Sequence, residues 1–266
     1  MKFITWNVNG IRAVERKGEL QKLVDAQSPD FLLIQEIKGN ADQFSAYLKD
    51  NPDYRQFYHS AEKKGYAGTG LWMSRAMDEQ IENVEFRTDV PKMPNADEGR
   101  VAWLSFDIGG KGHDLMSIYF PNGGKSEEAW RDKLRFYDSI HSLMNSIRNA
   151  GRTVIVGGDM NVAHTEIDIA RPKENDGKIG FHPDERAWMD RMINDHWFDL
   201  WRAQHPDEVD VYSYWDMVSR ARDRNVGWRI DYFLSSGDVL ERIEEIDYLH
   251  EQMGSDHCPL RMNLGL

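Results

Sequence analysis

Short apolar runs bounded by turn residues recur along the chain. Each predicts a buried strand: Phe3–Trp6, Phe31–Ile34, Leu115–Phe120, Val154–Val156 and Ile230–Leu234. Val101–Ile108 is another, and Gly109-Gly110-Lys111-Gly112 behind it predicts a hairpin turn leading towards Leu115. Elsewhere the apolar positions return every three or four residues. Leu20, Leu23 and Val24 form one helical stripe, and Trp130, Leu134, Tyr137, Ile140, Met144 and Ile147 a longer one. Pro183-Asp184-Glu185 opens a third helix, with Trp188, Met189, Met192 and Ile193 on one side. Strands and helices are mixed, so the class is α/β or α+β, and periodicity alone does not choose. No linker, low-complexity segment or short repeat interrupts the pattern, so residues 1–266 read as a single domain.

The ends of the strands carry the chemistry. Phe3–Trp6 runs into Asn7 and Asn9, and Phe31–Ile34 into Gln35 and Glu36. Ser117-Ile118 leads to Tyr119 and Asn122, and Val154–Val156 to Gly157-Gly158-Asp159-Met160-Asn161. A carboxylate or amide at the end of a buried strand is costly unless paired, hydrogen-bonded or metal-bound. One such group is ordinarily a cap, whereas four strands ending this way suggest polar groups converging at one edge of a sheet.

Composition narrows the class. With 45 acidic and 33 basic residues the net charge is −12, which excludes nucleic-acid binding through bulk positive charge but leaves room for a local basic patch. A lone cysteine, Cys258, rules out an internal disulfide and suggests a reducing compartment. The apolar N-terminal stretch is too short for a signal peptide, and no run approaches the roughly 18 apolar residues of a membrane span. The expectation is a cytoplasmic, soluble protein.

Individual residues admit two readings each. Glu36 suits a hard cation such as magnesium, or merely closes a strand. Asp159 and Asn161 either orient a water and a phosphate oxygen or form an Asx-turn. His257, in Ser255-Asp256-His257, can hold phosphate or transfer a proton if a carboxylate fixes its ring, and Asp231 needs a partner within its apolar strand. An Asp231–His257 pair satisfies both needs, whether for catalysis or structure. From Tyr212 to Arg229, four arginines (220, 222, 224, 229) sit among Tyr212, Tyr214, Trp215 and Trp228, which suits either phosphate binding with stacking or a solvated face over core aromatics. Arg12, Arg16, Lys17, Lys63 and Lys64 form weaker basic clusters in expected loops. Gly124-Lys125-Ser126 lacks the first glycine of a P-loop, Cys258 reads as a buried small residue, and no zinc motif occurs.

Taken in order, Trp6-Asn7-Val8-Asn9-Gly10-Ile11-Arg12-Ala13, Gln35-Glu36-Ile37-Lys38, Tyr119-Phe120-Pro121-Asn122, Gly157 to His164, Asn225 to Tyr232 and Ser255-Asp256-His257 resemble the exonuclease III family of abasic-site endonucleases, in the endonuclease/exonuclease/phosphatase superfamily. The likeness spans essentially the whole chain. It implies a DNase I-like, four-layer α-β-β-α sandwich of two packed mixed sheets with helices outside. It also implies magnesium, or manganese in its place, on Glu36 with Asn9 and Asp256 nearby. Asp159 would activate water, positioned by Asn161, while Tyr119, Asn7, Asn122 and His257 hold the scissile phosphate and Asp231 orients His257. Tyr214, Trp228 and Ile230 would form a pocket for a flipped-out abasic sugar. Arg12, Ala13, Lys17, Gly65, Tyr66 and Lys125 fall where the family meets the DNA backbone. Asn9 stands where some members have Asp, and Lys125 where others carry arginine or glutamine.

The implied reaction is cleavage 5′ to an abasic site, leaving a 3′-hydroxyl, with 3′–5′ exonuclease and 3′-phosphatase or phosphodiesterase side activities. The implied substrate is double-stranded DNA with abasic or 3′-blocked sites, bound by a monomer. Two other readings are an RNA nuclease or small-phosphoester phosphatase of the same superfamily, and a nucleic-acid-binding protein on this fold without catalysis. The first lacks a reason for Trp228-Arg229-Ile230-Asp231, and the second for the full set of polar residues.

Overall fold

The computed structural model describes residues 1–265. Its twelve strands are β1 (Lys2–Asn7), β2 (Phe31–Gln35), β3 (Tyr54–His59), β4 (Thr69–Ser74), β5 (Glu82–Arg87), β6 (Val101–Ile108), β7 (Lys111–Tyr119), β8 (Thr153–Asp159), β9 (Trp197–Asp199), β10 (Asp231–Ser236), β11 (Ile243–Tyr248) and β12 (Leu260–Leu264). They form two six-stranded mixed sheets, ordered β11-β12-β1-β2-β4-β3 and β5-β6-β7-β8-β10-β9. Each has one parallel pair at its centre, β1 with β2 and β7 with β8, flanked by antiparallel neighbours.

Alternation along the strands builds the layers. In β1, Phe3 faces the other sheet, where Phe31, Leu33, Leu104, Leu115, Ile155, Phe233 and Met262 also meet. Ile4 and Trp6 point the other way, against Ile11 and Val14 of the Ile11–Arg16 helix and Leu20, Leu23 and Val24 of the Glu19–Gln27 helix. In β8, Ile155 faces inwards while Val154 and Val156 pack under the Glu127–Asn149 and Pro183–Asn194 helices. The result is the helix–sheet–sheet–helix sandwich. Near the functional edge the interface turns polar: Gln35 Nε2 donates to Ser117 Oγ at 2.9 Å and to Thr5 Oγ1 at 3.0 Å, tying the sheets together.

Three expectations need correction. The hairpin turn is only Gly109-Gly110, at φ +57° and +75°, the left-handed pair that a two-residue turn between twisted strands requires; Lys111 and Gly112 already belong to β7. Ile193 is not on the buried stripe of its helix but 39% exposed, because Trp188, Met189 and Met192 alone cover the sheet. Arg12 and Arg16 lie on a helix, not in a loop. Among the described residues no helix is long and apolar enough to cross a membrane.

Candidate active site

Register brings the strand ends together. Asn7 pairs with Gln35 at the end of the β1–β2 pair, Tyr119 with Asp159 at the end of the β7–β8 pair, and Asp231, opening β10, sits opposite Asp159. Both parallel pairs therefore finish on one edge. Beyond it the backbone turns sharply, with Asn9, Glu36, Lys38 and Asn161 at φ between +45° and +54°. Left-handed non-glycine residues each cost about 1–3 kcal/mol and gather where surrounding structure fixes a site.

Asn7 joins the two halves. Fully buried, its amide Nδ2 donates to Glu36 Oε1 and to Asp159 Oδ2, both at 2.9 Å. Both amide hydrogens are thus engaged with carboxylates, so in this arrangement Asn7 orients them. Asp159 also accepts from the Asn161 backbone at 2.8 Å and from Asn161 Nδ2 at 3.3 Å, an Asx-turn that aims the same two side chains at the cavity. Asn122 Nδ2 reaches Asn161 Oδ1 at 3.2 Å.

His257 completes the cluster through backbone bridging: Tyr214 bridges to both Trp228 and His257, so catalytic edge and aromatic wall form side by side. Its Nδ1 lies 2.8 Å from Asp231 Oδ2, and its Nε2 3.9 Å from Asp159 Oδ2. Burial alone would lower its pKa, but the Asp231 carboxylate outweighs burial and pushes it up to about 10, so the ring is cationic. Asp159 moves up to about 7, through burial first and then the charges of Asp231 and Glu36, against the pull of His257. Burial likewise drives the Tyr119 phenol well above its ordinary value. Five ionisable groups, His257, Asp231, Asp159, Glu36 and Tyr119, crowd here with too little positive charge between them.

Glu36, Asp159 and His257 bring potential ligand atoms within 4.8 Å of one another. Lys38, which the motif reading left without a role, places its ammonium 2.7 Å from Glu36 Oε2 and 2.5 Å from Asn9 Oδ1. Asp256 lies on the cavity wall, its Oδ1 accepting from Asn9 Nδ2 at 3.0 Å.

The cavity holds about 380 Å³. One wall is the polar cluster, and the other is Tyr214, Trp228 and Ile230, joined by Ile179 and Gly180. Gly180 escaped sequence reasoning because its role is a tertiary one. At φ +86° it presses on the Trp228 ring, and a Cβ there would lie 2.6 Å from Trp228 Cζ3. Arg12, Ala13 and Lys17 do not line the cavity: Arg12 donates to the carbonyl of Lys38, which does, Lys17 donates to the Gly254 carbonyl, and half-buried Ala13 is on the same helix as Arg12. Tyr66 and Lys125 line an adjoining groove that shares Asn122 with the cavity, and Gly65 is exposed next to Tyr66.

The arginine–aromatic stretch resolves largely to structure. Arg229 is fully buried between Asp168 and Asp199, and Tyr212 and Trp215 belong to the core. Arg222 lies over Trp215 and donates to the His250 and Gln252 carbonyls. Only Arg220 and Arg224 face solvent, on the loop with 93%-exposed Val218. Cys258 is buried, and burial pushes its thiol up, as expected of an inert packing residue.

Comparison with known proteins agrees with this geometry. The family described as "Endonuclease/Exonuclease/phosphatase family" matches residues 4–257. An exodeoxyribonuclease of Bacillus subtilis is 34% identical over 266 residues, covering 100% of both chains. A DNA-(apurinic or apyrimidinic site) endonuclease of Dictyostelium discoideum is 34% identical over 98% of this chain and 69% of its own length. Among solved structures, an AP endonuclease of Leishmania major superposes with a TM-score of 0.86 at 28% identity, covering 98% of this chain and 86% of that one.

Proposed function

This chain belongs to the endonuclease/exonuclease/phosphatase family, and from that premise we propose that it is a metal-dependent DNA-repair nuclease cutting the phosphodiester 5′ to an abasic site. The observation that carries the reading is one cavity with two chemistries. A cluster suited to phosphoryl transfer, Asp159, His257 and Glu36, directly adjoins a wall of Tyr214, Trp228 and Ile230. A base-less sugar turned out of the duplex fits such a wall, and extrusion is cheapest where no base is stacked.

In this mechanism Asp159 takes a proton from water, held in place by Asn7 and Asn161. The water oxygen bonds to phosphorus as the P–O3′ bond of the upstream nucleotide breaks, the departing O3′ takes a proton from solvent, and the products are a 3′-hydroxyl and a 5′-deoxyribose phosphate. Cationic His257 faces charge growing on a non-bridging oxygen, and Asp231 maintains that cation. Tyr119 and Asn122 hold further phosphate oxygens. The donor chemistry fits a hard divalent ion. Glu36 offers a carboxylate, the Lys38 ammonium already draws on the Glu36 and Asn9 oxygens, and Asp256 is linked to this group through the Asn9 amide rather than lying against Glu36 itself. His257, kept protonated by Asp231, suits phosphate better than metal. Magnesium, or manganese, would supply Lewis-acid neutralisation of the phosphoryl group when bound. We extend the proposal to 3′–5′ exonuclease and 3′-phosphatase or phosphodiesterase activity on 3′-blocked duplex, which need the same cluster. In this reading the protein acts as a monomer in the cytoplasm, a setting that suits its lone buried Cys258.

The test is incision of a duplex with one abasic analogue beside an intact duplex, with magnesium and with EDTA. Cutting only 5′ to the lesion, abolished by EDTA, supports the proposal; hydrolysis of RNA or small phosphoesters instead refutes the pocket assignment. Binding to the abasic duplex should weaken steeply with salt despite the −12 net charge, because the contacting cations are local.

Gly180→Leu separates the two halves of the cavity. Its side chain has nowhere to go but against Trp228, so 5′ incision should fall about tenfold or more. Release of phosphate from a 3′-phosphorylated end, which leaves the pocket empty, should persist. Equal loss of both activities would instead point to backbone strain at this positive-φ position, with a lowered Tm as its sign.

A further inference from the structure

Beneath the cavity lies an ion pair that the mechanism does not use. Lys133, on the Glu127–Asn149 helix, and Glu185, on the Pro183–Asn194 helix, are both wholly inaccessible to solvent and in direct contact. The remaining ammonium hydrogens of Lys133 go to two backbone carbonyls, Asn161 O at 2.9 Å and Asn122 O at 3.1 Å. The other carboxylate oxygen of Glu185 accepts from the Gly180 amide at 2.7 Å and the His182 amide at 2.9 Å. The pair thus holds four backbone groups, two on each side. On the lysine side are the turns that carry Asn122 and Asn161. On the glutamate side is the loop that presses Gly180 on Trp228.

We infer that Lys133 and Glu185 are positioning residues that set the spacing between the phosphate-gripping turns and the wall of the sugar pocket. Two buried charges are a poor way to gain stability, since apolar residues of similar volume often do as well or better. What an apolar pair lacks is directional bonding to both loops at once. Placement errors of about 1 Å at a reacting centre can cost around a hundredfold in rate. A linker that fixes one loop relative to the other is therefore worth its desolvation. The inference rests on the proposed reading of the cavity as a nuclease site with a sugar pocket.

The decisive variant replaces both partners, Lys133→Met with Glu185→Leu, so that no buried charge is left alone. Lys133→Met with Glu185→Gln, which keeps the amide-accepting oxygen and leaves no ammonium buried alone, serves as the conservative comparison. Thermal unfolding, kcat and KM on abasic duplex, and hydrogen–deuterium exchange of residues 159–162 and 178–182 are measured for each. The expected result for the double variant is a folded protein with Tm lowered by the backbone groups left without partners, kcat lower by about tenfold to a hundredfold with little change in KM, and faster exchange in both segments. Lys133→Met with Glu185→Gln should recover most of the exchange protection at residues 178–182. Wild-type kcat and exchange in a folded double variant would overturn the inference, as would loosening of one segment alone. If the wild-type protein does not cut abasic duplex, the functional reading falls by itself. Exchange then decides: loosening of both segments upholds the coupling, and loosening of neither removes it.

Discussion

Asp159→Asn should slow phosphodiester cleavage by about 10²–10⁴-fold, the range that a positioned proton-transfer group contributes, while abasic-duplex binding changes little. The substitution preserves shape but reverses function at one atom. Asp159 accepts from Asn7 Nδ2, the Asn161 backbone and Asn161 Nδ2, and an amide cannot accept on both of its ends. One donor is left facing another donor, and no base remains to receive a proton from water. Stability should not follow activity down. Burial and the Asp231 and Glu36 carboxylates raise the pKa of Asp159 to about 7, so its ionised form is unfavourable in the folded protein. A folded-state pKa above the unfolded value means a carboxylate costs stability as pH rises past about 4 towards 7. Removing that charge should leave Tm at pH 8 unchanged or higher. Single-turnover kinetics beside a thermal melt reads both effects. A folded variant that still cuts at wild-type speed would mean Asp159 handles no proton.

The second large effect is on stability. Arg229→Met should destabilise the protein by about 3–5 kcal/mol, the usual cost of stranding a buried charge partner. Arg229 donates to Asp168 Oδ1 at 2.7 Å and to Asp199 Oδ2 at 2.6 Å, with its guanidinium over the Tyr232 ring. Arg202 shares Asp168 at 2.6 Å, but nothing comparable replaces Arg229 at Asp199. Burial alone would raise the pKa of Asp168; the charges of Arg229 and Arg202 outweigh it and hold the carboxyl well below the usual range. A depressed folded-state pKa gives stability that is present above the unfolded pKa of about 4 and fades as pH falls below it. The deficit of Arg229→Met in urea denaturation should therefore be largest near neutral pH and shrink below about pH 4. A pH-independent deficit would attribute the loss to packing. Trp228 and Ile230 flank Arg229, so the anchor also seats the proposed sugar pocket.

Much of this site could be deduced from where apolar runs stop. Asn7, Glu36, Tyr119 and Asp159 each follow a run too apolar to be anything but a buried strand, and that is where the two parallel pairs end. Asp231 and His257 each need a partner, since neither tolerates burial alone, and they meet at 2.8 Å. What escaped obeys different rules. The edge strands β5 and β11, Glu-Asn-Val-Glu-Phe-Arg and Ile-Glu-Glu-Ile-Asp-Tyr, carry charge that keeps unpaired edges in solution and hides the strand signal. In β4, Gly70 interrupts the run because the Tyr58 ring of β3 occupies the place of a side chain. β12 alternates cleanly, with Leu260, Met262 and Leu264 buried, but five residues give too short a pattern to stand out. Lys38, Gly180 and the Lys133–Glu185 pair have no local signature. Their importance comes from what lies across a loop or between two helices.

The bridging of distant segments at the catalytic edge has a kinetic consequence. Asn7 bonds to Asp159 across 152 residues, and Trp6 donates to the His257 carbonyl across 251. β1 cannot take its central place until β12 has come alongside it. Contacts this far apart in sequence close slowly, because chain entropy is lost before the contacts repay it. Helices and hairpins such as β6–β7 can form early from local contacts, while the catalytic groups meet only when the chain's first and last segments have docked. A partly made chain therefore holds its hydrolytic groups apart, and the capacity to break DNA arises as one of the final events of folding.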